Sequence, residues 1–383
     1  MRTSISTVEY LAVTAFVLMI VYYARSLRSI DGKRRIPPIN IIFAGALIFS
    51  VYSYAIGINL FIFSDRHRYA NAVIRTMYFG FDEIFFSGSE PSVFLLYKLF
   101  GSFPNSANWL YFTVTFVFFI INLIVIAKLS DNYKASVLFF MLSQLPFHQL
   151  EILKQVLAYS FGNIAFLFYI REKKALGLVF IVIACTFHVT AVILLLYFLA
   201  FNFAGAKKTN RILLIMSVIV VSIVMYSAIN FAAMRFGVVR QYLQFNSITA
   251  GVGADTNRRG LATGLVSALF HGLPYYFLLI VSLIQYKRLV ASNVKNKIYI
   301  CALLYSSFLF TQGYVFFALT RLGMFMIVPA VAWAPTLLAS IKDKWTRFTI
   351  GFIFAALLLV VTVWHVAWKV DDYSIVRFQT ISR

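Results

Sequence analysis

The sequence predicts an all-α polytopic membrane protein, and three observations carry that prediction. Of its 383 residues, 61% are hydrophobic and 12% charged, with a mean hydropathy of +0.85. Water-soluble domains do not have that balance. The apolar residues gather into runs spread evenly from residue 8 to 368, most near the ~20 residues a helix needs to cross the hydrocarbon layer. The basic residues cluster between the runs. The expectation is about 11 to 13 transmembrane helices in a single integral-membrane domain over 1–383, with no stretch left for a separate water-soluble domain.

The first run, 8–24, has neither a basic leading region nor a small-residue cleavage site and ends in basic residues, so it is expected as a retained span. Runs follow at 39–63, 109–127, 135–148, 155–170, 175–187, 189–203, 212–234, 262–284, 298–319, 322–340 and 348–368. The connections 25–38, 128–134, 171–174, 204–211, 285–297 and 341–347 hold 20 of the 34 Lys and Arg. They hold only four acidic residues, Asp31, Asp131, Glu172 and Asp343. The positive-inside rule makes these connections cytoplasmic and turns both termini outward. The net charge of +21 is thus dispersed over helix ends, which argues for membrane topology and against nucleic acid.

Residues 175–203 lie between two basic patches and are expected to go in and come back. Each limb of ~14 residues reaches ~21 Å, short of a ~30 Å core, so His188 at the turn would sit below the outer surface. A single tilted span is the rival, and it would place Lys287, Arg288, Lys295 and Lys297 outside. Residues 135–170 have the same hairpin form, with their tip at 146–155. Three outer segments stand out: the loop 64–108, the loop 235–261 with Gly251 to Gly253, and the tail from 369. Within the first, 91–103 is apolar but too short to span, so it should dip into the membrane or lie on it, making the loop partly re-entrant. Loops of this length are usually functional.

Polar residues at membrane depth are costly and mark functional sites. Glu151, Lys154, Gln155 and Ala158 share one helix face. They read either as a lysine snorkelling to water with an i,i+3 glutamate or as a cation aimed into a cavity. His188 stands alone among apolar neighbours, as a core histidine or as an acid, base or phosphate ligand. Arg321 follows Thr320 between two apolar runs; its planar fork suits phosphate oxygens, and the plain alternative is a helix-end arginine reaching headgroups. Asp65, Arg66, Arg68 and Tyr69 open the first outer loop. Glu90 precedes Pro91, as a helix cap or as a chemical group. Arg258 and Arg259 close the second loop, His271 precedes the expected kink at Pro274, and His365 between Trp364 and Trp368 reads as an interface anchor.

Cys185 and Cys301 both lie in apolar runs and read as core residues, with no disulfide and no metal-site spacing. No Walker loop, Rossmann glycine pattern, HExxH, CxxC or Asp-x-Asp is present. That inventory favours a mechanism without cofactor or metal, in which Lys and Arg hold a diphosphate and stabilise it as a leaving group.

Four motifs in order carry a resemblance. Asp65 with Tyr69, then Glu90-Pro91-Ser92-Val93-Phe94, resembles the first outer loop of the EpsG/Wzy-like family of bacterial polysaccharide polymerases. Lys154-Gln155-Val156-Leu157-Ala158 is similar to its Arg-Gln-x-x-Ala motif, Phe187-His188-Val189-Thr190-Ala191 to its Phe-His-x-Ser-Ala motif, and Thr320-Arg321 to its late Ser-Arg. Together they span about residues 60–330. Lys154 departs from the usual arginine and Phe325 from a common aromatic hydroxyl.

The resemblance implies a GT-C-like helical fold with an outward cavity on the periplasmic side of the bacterial inner membrane. It implies an O-antigen or capsule polymerase that transfers a polyprenyl-diphosphate-linked oligosaccharide onto a lipid-linked repeat unit, working beside a chain-length regulator protein. On that reading Lys154, Gln155 and Arg321 hold the diphosphate, and Asp65, Glu90 or His188 serves catalysis. Arg66, Arg68, Tyr69, Arg258 and Arg259 contact sugar or phosphate. The competing classes are a polyprenyl-glycan flippase, which should show internal repeats that this chain lacks, an O-antigen ligase, and another GT-C glycosyltransferase. A membrane acyltransferase fits less well, because its histidine should come with a more cytoplasmic basic motif.

Overall fold

The computed structural model describes residues 12–17, 27–28, 35–36, 39–57, 64–80, 90–150, 152–205, 210–220, 258–312 and 317–381. Side chains are described for 12–17, 39–55, 68–80, 90–150, 152–205, 210–220, 269–312 and 319–365. These residues are helical apart from turns and a two-residue antiparallel pairing of Leu27–Arg28 with Arg35–Ile36. The protein is an all-α polytopic membrane protein. Among the described residues four helices are long and apolar enough to cross a membrane, at 106–129, 153–170, 319–339 and 344–365. The apolar pair 269–284 and 286–292, bent by 75°, is a fifth if the two form one broken span and otherwise a re-entrant loop. Shorter apolar helices lie at 39–55, 91–101, 133–142, 174–187, 189–205 and 211–220 among the described residues.

The chain divides into two compact units, 1–192 with 358–383, and 193–357. The first contains α1 (Ile39–Gly57), α2 (Ser64–Thr76), α3 (Pro91–Gly101), α4 (Ser106–Leu129), α5 (Tyr133–Leu142), α6 (Leu145–His148), α7 (Leu153–Ile170) and α8 (Lys174–Phe187). A 3-10 turn, Val189–Val192, follows α8. The second unit contains α9 (Ile193–Gly205), α10 (Arg211–Val220), α11 (Arg258–Ile284), α12 (Tyr286–Ser292), α13 (Asn296–Gln312), α14 (Phe317–Gly323) and α15 (Ile327–Ala339). The last helix, α16 (Lys344–Ile381), begins in the second unit and ends in the first.

The structure corrects the sequence reading in four places. Within the expected outer loop 64–108, the described residues 64–76 and 91–101 form helices, α2 and α3. The run 135–148 is broken at Ser143, whose backbone is extended, and restarts at α6, where Pro146 fits a first turn but not a helix interior. The run 322–340 passes through a 3-10 turn at Met324–Met326. There Gly323 lies so close to α13 that an added Cβ would sit 3.1 Å from the Ser306 carbonyl oxygen. The expected tail from 369 continues as helix to 381.

Packing in the first unit explains why α7 is held where it is. Phe49 of α1 stacks on Phe119 of α4 with centroids 4.3 Å apart. On its other side α4 meets α7 through buried amides: Asn122 Nδ2 donates to Ser160 Oγ at 3.0 Å, and Asn163 Nδ2 donates to Asn122 Oδ1 at 2.8 Å. Nearby, Thr115 donates to Gln149 Oε1 at 2.6 Å. In lipid, apolar side chains alone give helices little reason to prefer one another, so such polar contacts fix the pairing and the rotation of each helix. Glu172, at φ 65°, turns the chain from α7 into α8. The two helices then share a column of rings, Phe187 to Phe161 (5.1 Å), Phe161 to Phe180 (6.4 Å) and Phe180 to Phe168 (5.3 Å).

Candidate functional site

Three helix ends of the first unit meet at one carboxylate. Glu90 is the residue before α3, and Pro91 opens that helix. A proline disfavours helical geometry in the residue before it, and Glu90 accordingly has φ −136° and ψ 63°. Lys154 is the second residue of α7, and His188 caps the C-terminal end of α8 with an extended backbone. Lys154 Nζ donates to Glu90 Oε2 at 2.7 Å. His188 Nδ1 lies 2.9 Å from Oε1, a close contact that is an ion pair when the imidazole is protonated. Each carboxylate oxygen therefore faces a different basic group.

Helix dipoles account for part of this arrangement. An anion is favoured at a helix N-terminus, as Glu90 is at α3, and a cation at a C-terminus, as a protonated His188 is at α8. Lys154 stands at the N-terminus of α7, where its charge is disfavoured, and Glu90 offsets that. Burial pushes the Glu90 carboxyl up, but His188 and Lys154 beside it outweigh burial and leave it below its ordinary value. The carboxylate is thus held ionised on a side chain only 11% exposed. The Lys154 side chain is 31% exposed and the His188 side chain 15%, so both reach the edge of the cluster. An ammonium has three donors, so Lys154 keeps two for an anion while still bound to Glu90.

A second contact ties the same helix ends. Ser92 Oγ donates to Thr186 Oγ1 at 2.7 Å, and Thr186 donates to the Ile183 carbonyl at 2.6 Å. Local sequence does not point to this pair: small hydroxyls near helix ends are common, and the two partners are 94 residues apart. Gln155, beside Lys154, is buried, and its Oε1 accepts no hydrogen bond.

The structure thus brings together Glu90, Lys154 and His188 and places Gln155 next to them. It corrects three expectations. His188 is not alone. Glu90 makes no side-chain cap of α3. His365 is not an interface anchor: it is buried, with its ring 4.4 Å from that of His148 and in contact with Phe147. Thr362, a turn earlier on α16, donates to the Leu142 carbonyl at 2.8 Å.

Elsewhere in the first unit, Arg68 is exposed and Tyr69 is half-buried, its ring 6.5 Å from both Tyr97 and Tyr111. Asp65 and Arg66 lie on α2, and Arg258 and Arg259 open α11, but the side chains of all four lie outside the described residues, as does Glu151. Arg321 belongs to the second unit, half-buried on α14 beside buried Thr320. His271 is buried on α11, three residues before Pro274. Cys185 and Cys301 are both free, the second buried.

Residues 43–380 match the model of the EpsG family. No curated protein and no solved structure matches the chain.

Proposed function

Since the chain belongs to the EpsG family, a Wzy-like family of polysaccharide polymerases, we propose that the Glu90–Lys154–His188 cluster is its polymerisation site. The substrate proposed is a glycan on a polyprenyl diphosphate, transferred to a second lipid-linked repeat unit at the outer face of the bacterial inner membrane. The bilayer is the setting for both lipids, and we take 1–383 as one integral-membrane domain. O-antigen or capsule is the product class this implies.

The observation that carries the reading is the division of one buried carboxylate between an imidazole and an ammonium. Glu90 orients His188 through Nδ1, which leaves Nε2 to take a proton. A carboxylate that orients a neutral imidazole is a recurrent base arrangement. In the proposed step the acceptor hydroxyl oxygen bonds to the anomeric carbon of the donor glycan while its proton passes to His188 Nε2. The bond from that carbon to the diphosphate oxygen breaks, and the electron pair leaves with the polyprenyl diphosphate. Lys154 balances the charge that builds there, and Arg321 is kept separately as a proposed diphosphate-binding residue. Gln155 adds an amide beside the ammonium. Arg66, Arg68, Tyr69, Arg258 and Arg259 are proposed contacts for sugar or phosphate, and Asp65 is the alternative carboxylate. Lysine and arginine cations are proposed to supply the charge that a divalent metal supplies in other transferases, so the step is proposed to need none.

The test is reconstitution of purified protein with lipid-linked repeat units in the presence of a chelator. Wild type should make polymer, while His188→Ala and Lys154→Ala should leave the repeat unpolymerised. Long-chain polymer from both variants at the wild-type rate would sink the assignment.

A further inference from the structure

We propose that the hydroxyls of Ser92 and Thr186 form a brace that sets His188 against Glu90, making them positioning residues for the transfer proposed above, on which this inference rests. Ser92 lies two residues after Glu90, in the first turn of α3, and Thr186 two residues before His188, in the last turn of α8. The bond between them therefore spans the same two helix ends as the Glu90–His188 contact and runs beside it.

The direction of the bond is fixed. A hydroxyl has one proton, and Thr186 gives its own to the Ile183 carbonyl within α8. Its oxygen is left to accept, and Ser92 donates. One threonine thus closes the last turn of α8 and receives α3.

His188 needs such help. It lies beyond the helical ladder with an extended backbone, and a 3-10 turn begins at the next residue. Its contact with Glu90 is a single 2.9 Å approach through one ring nitrogen, so a small shift between α3 and α8 would open it. Lys154 comes from a third helix and reaches the other carboxylate oxygen, so it does not hold that gap closed. A base displaced by about 1 Å can lose a large part of its rate while the binding groups keep theirs.

Thr186→Val keeps the side-chain shape and removes the hydroxyl; Ser92→Ala removes the donor without touching α8. In the reconstituted assay each should lower kcat by roughly tenfold, with KM for the lipid-linked donor within about twofold because Lys154 is untouched. Thr186→Ser and Ser92→Thr retain the hydroxyl and should return kcat to near wild type. Wild-type kcat in both Thr186→Val and Ser92→Ala overturns the brace alone. So does a Thr186→Ser as slow as Thr186→Val, which would make the methyl group the relevant part. If Thr186→Val does not reach the membrane, Ser92→Ala decides by the same criterion. Wild-type protein that makes no polymer overturns the functional reading, and the brace with it.

Discussion

Replacing Lys154 by Met should destabilise the first unit, by an amount that depends on whether Glu90 is still there. A hydrogen bond to a charged group contributes about 1.5–3 kcal/mol net. The Lys154 side chain is 31% exposed and recovers part of its hydration when released, whereas the Glu90 side chain is 11% exposed and does not. The loss in Lys154→Met should therefore fall at the lower end, about 1.5–2 kcal/mol, because a buried carboxylate is left with His188 alone. In a Glu90→Gln background the same substitution removes an ammonium that no longer has an anionic partner, and the loss should be less by about 1–2 kcal/mol. Thermal unfolding of the four proteins in detergent reads this as a shift of about 3–8 °C for Lys154→Met in wild type, and a clearly smaller one in Glu90→Gln. If the two single shifts simply add in the double variant, the 2.7 Å contact carries no coupling energy and the electrostatic account of the cluster fails.

Because its two neighbours hold the Glu90 carboxyl below its ordinary value of about 4.5, the folded protein binds fewer protons there than the unfolded chain. The stability this gives is full above that pH and fades as pH falls below it. Melting curves of wild type and Glu90→Gln should therefore converge on acidification from pH 6, and a constant gap down to pH 3 would contradict the shift. Arg321→Ala should abolish polymer in cells while the protein stays in the membrane, and a normal long-chain ladder would remove Arg321 from the site. Asn122→Leu leaves Ser160 and Asn163 without their shared partner and should cost about 1–2 kcal/mol; an unchanged melting temperature would mean the amides are replaceable.

The helices were readable because span length and charge distribution leave strong marks in sequence, and their expected positions agree with the structure to within a few residues at most ends. The breaks were less readable. Ser143 ends α5 inside a run that reads as one apolar stretch, where only Ser143-Gln144 and Pro146 hint at the break. Site residues were readable by type, since a lysine and a histidine beside apolar runs, and a glutamate just ahead of an apolar helix, call for an explanation. Their partners were not. Spacing along one helix points Lys154 at Glu151, which lies outside the described residues; among the described residues the carboxylate it meets, Glu90, comes from 64 residues away. His365 between two tryptophans has the pattern of an interface residue, and it is buried because α16 packs on the α5–α6 break, which local sequence does not specify.

Pro91 has a consequence for how the acid is held. Helix ends ordinarily lengthen and shorten by a residue, and each added residue rotates its side chain by about 100° about the axis and advances it about 1.5 Å. If α3 grew backwards by one step, Glu90 would be wound into the helix and its carboxylate carried to another side. The proline ring crowds the backbone of the residue before it and disfavours that step. The angular setting of the carboxylate is therefore written into the covalent chain, where neither lipid, detergent nor a competing anion can unwind it.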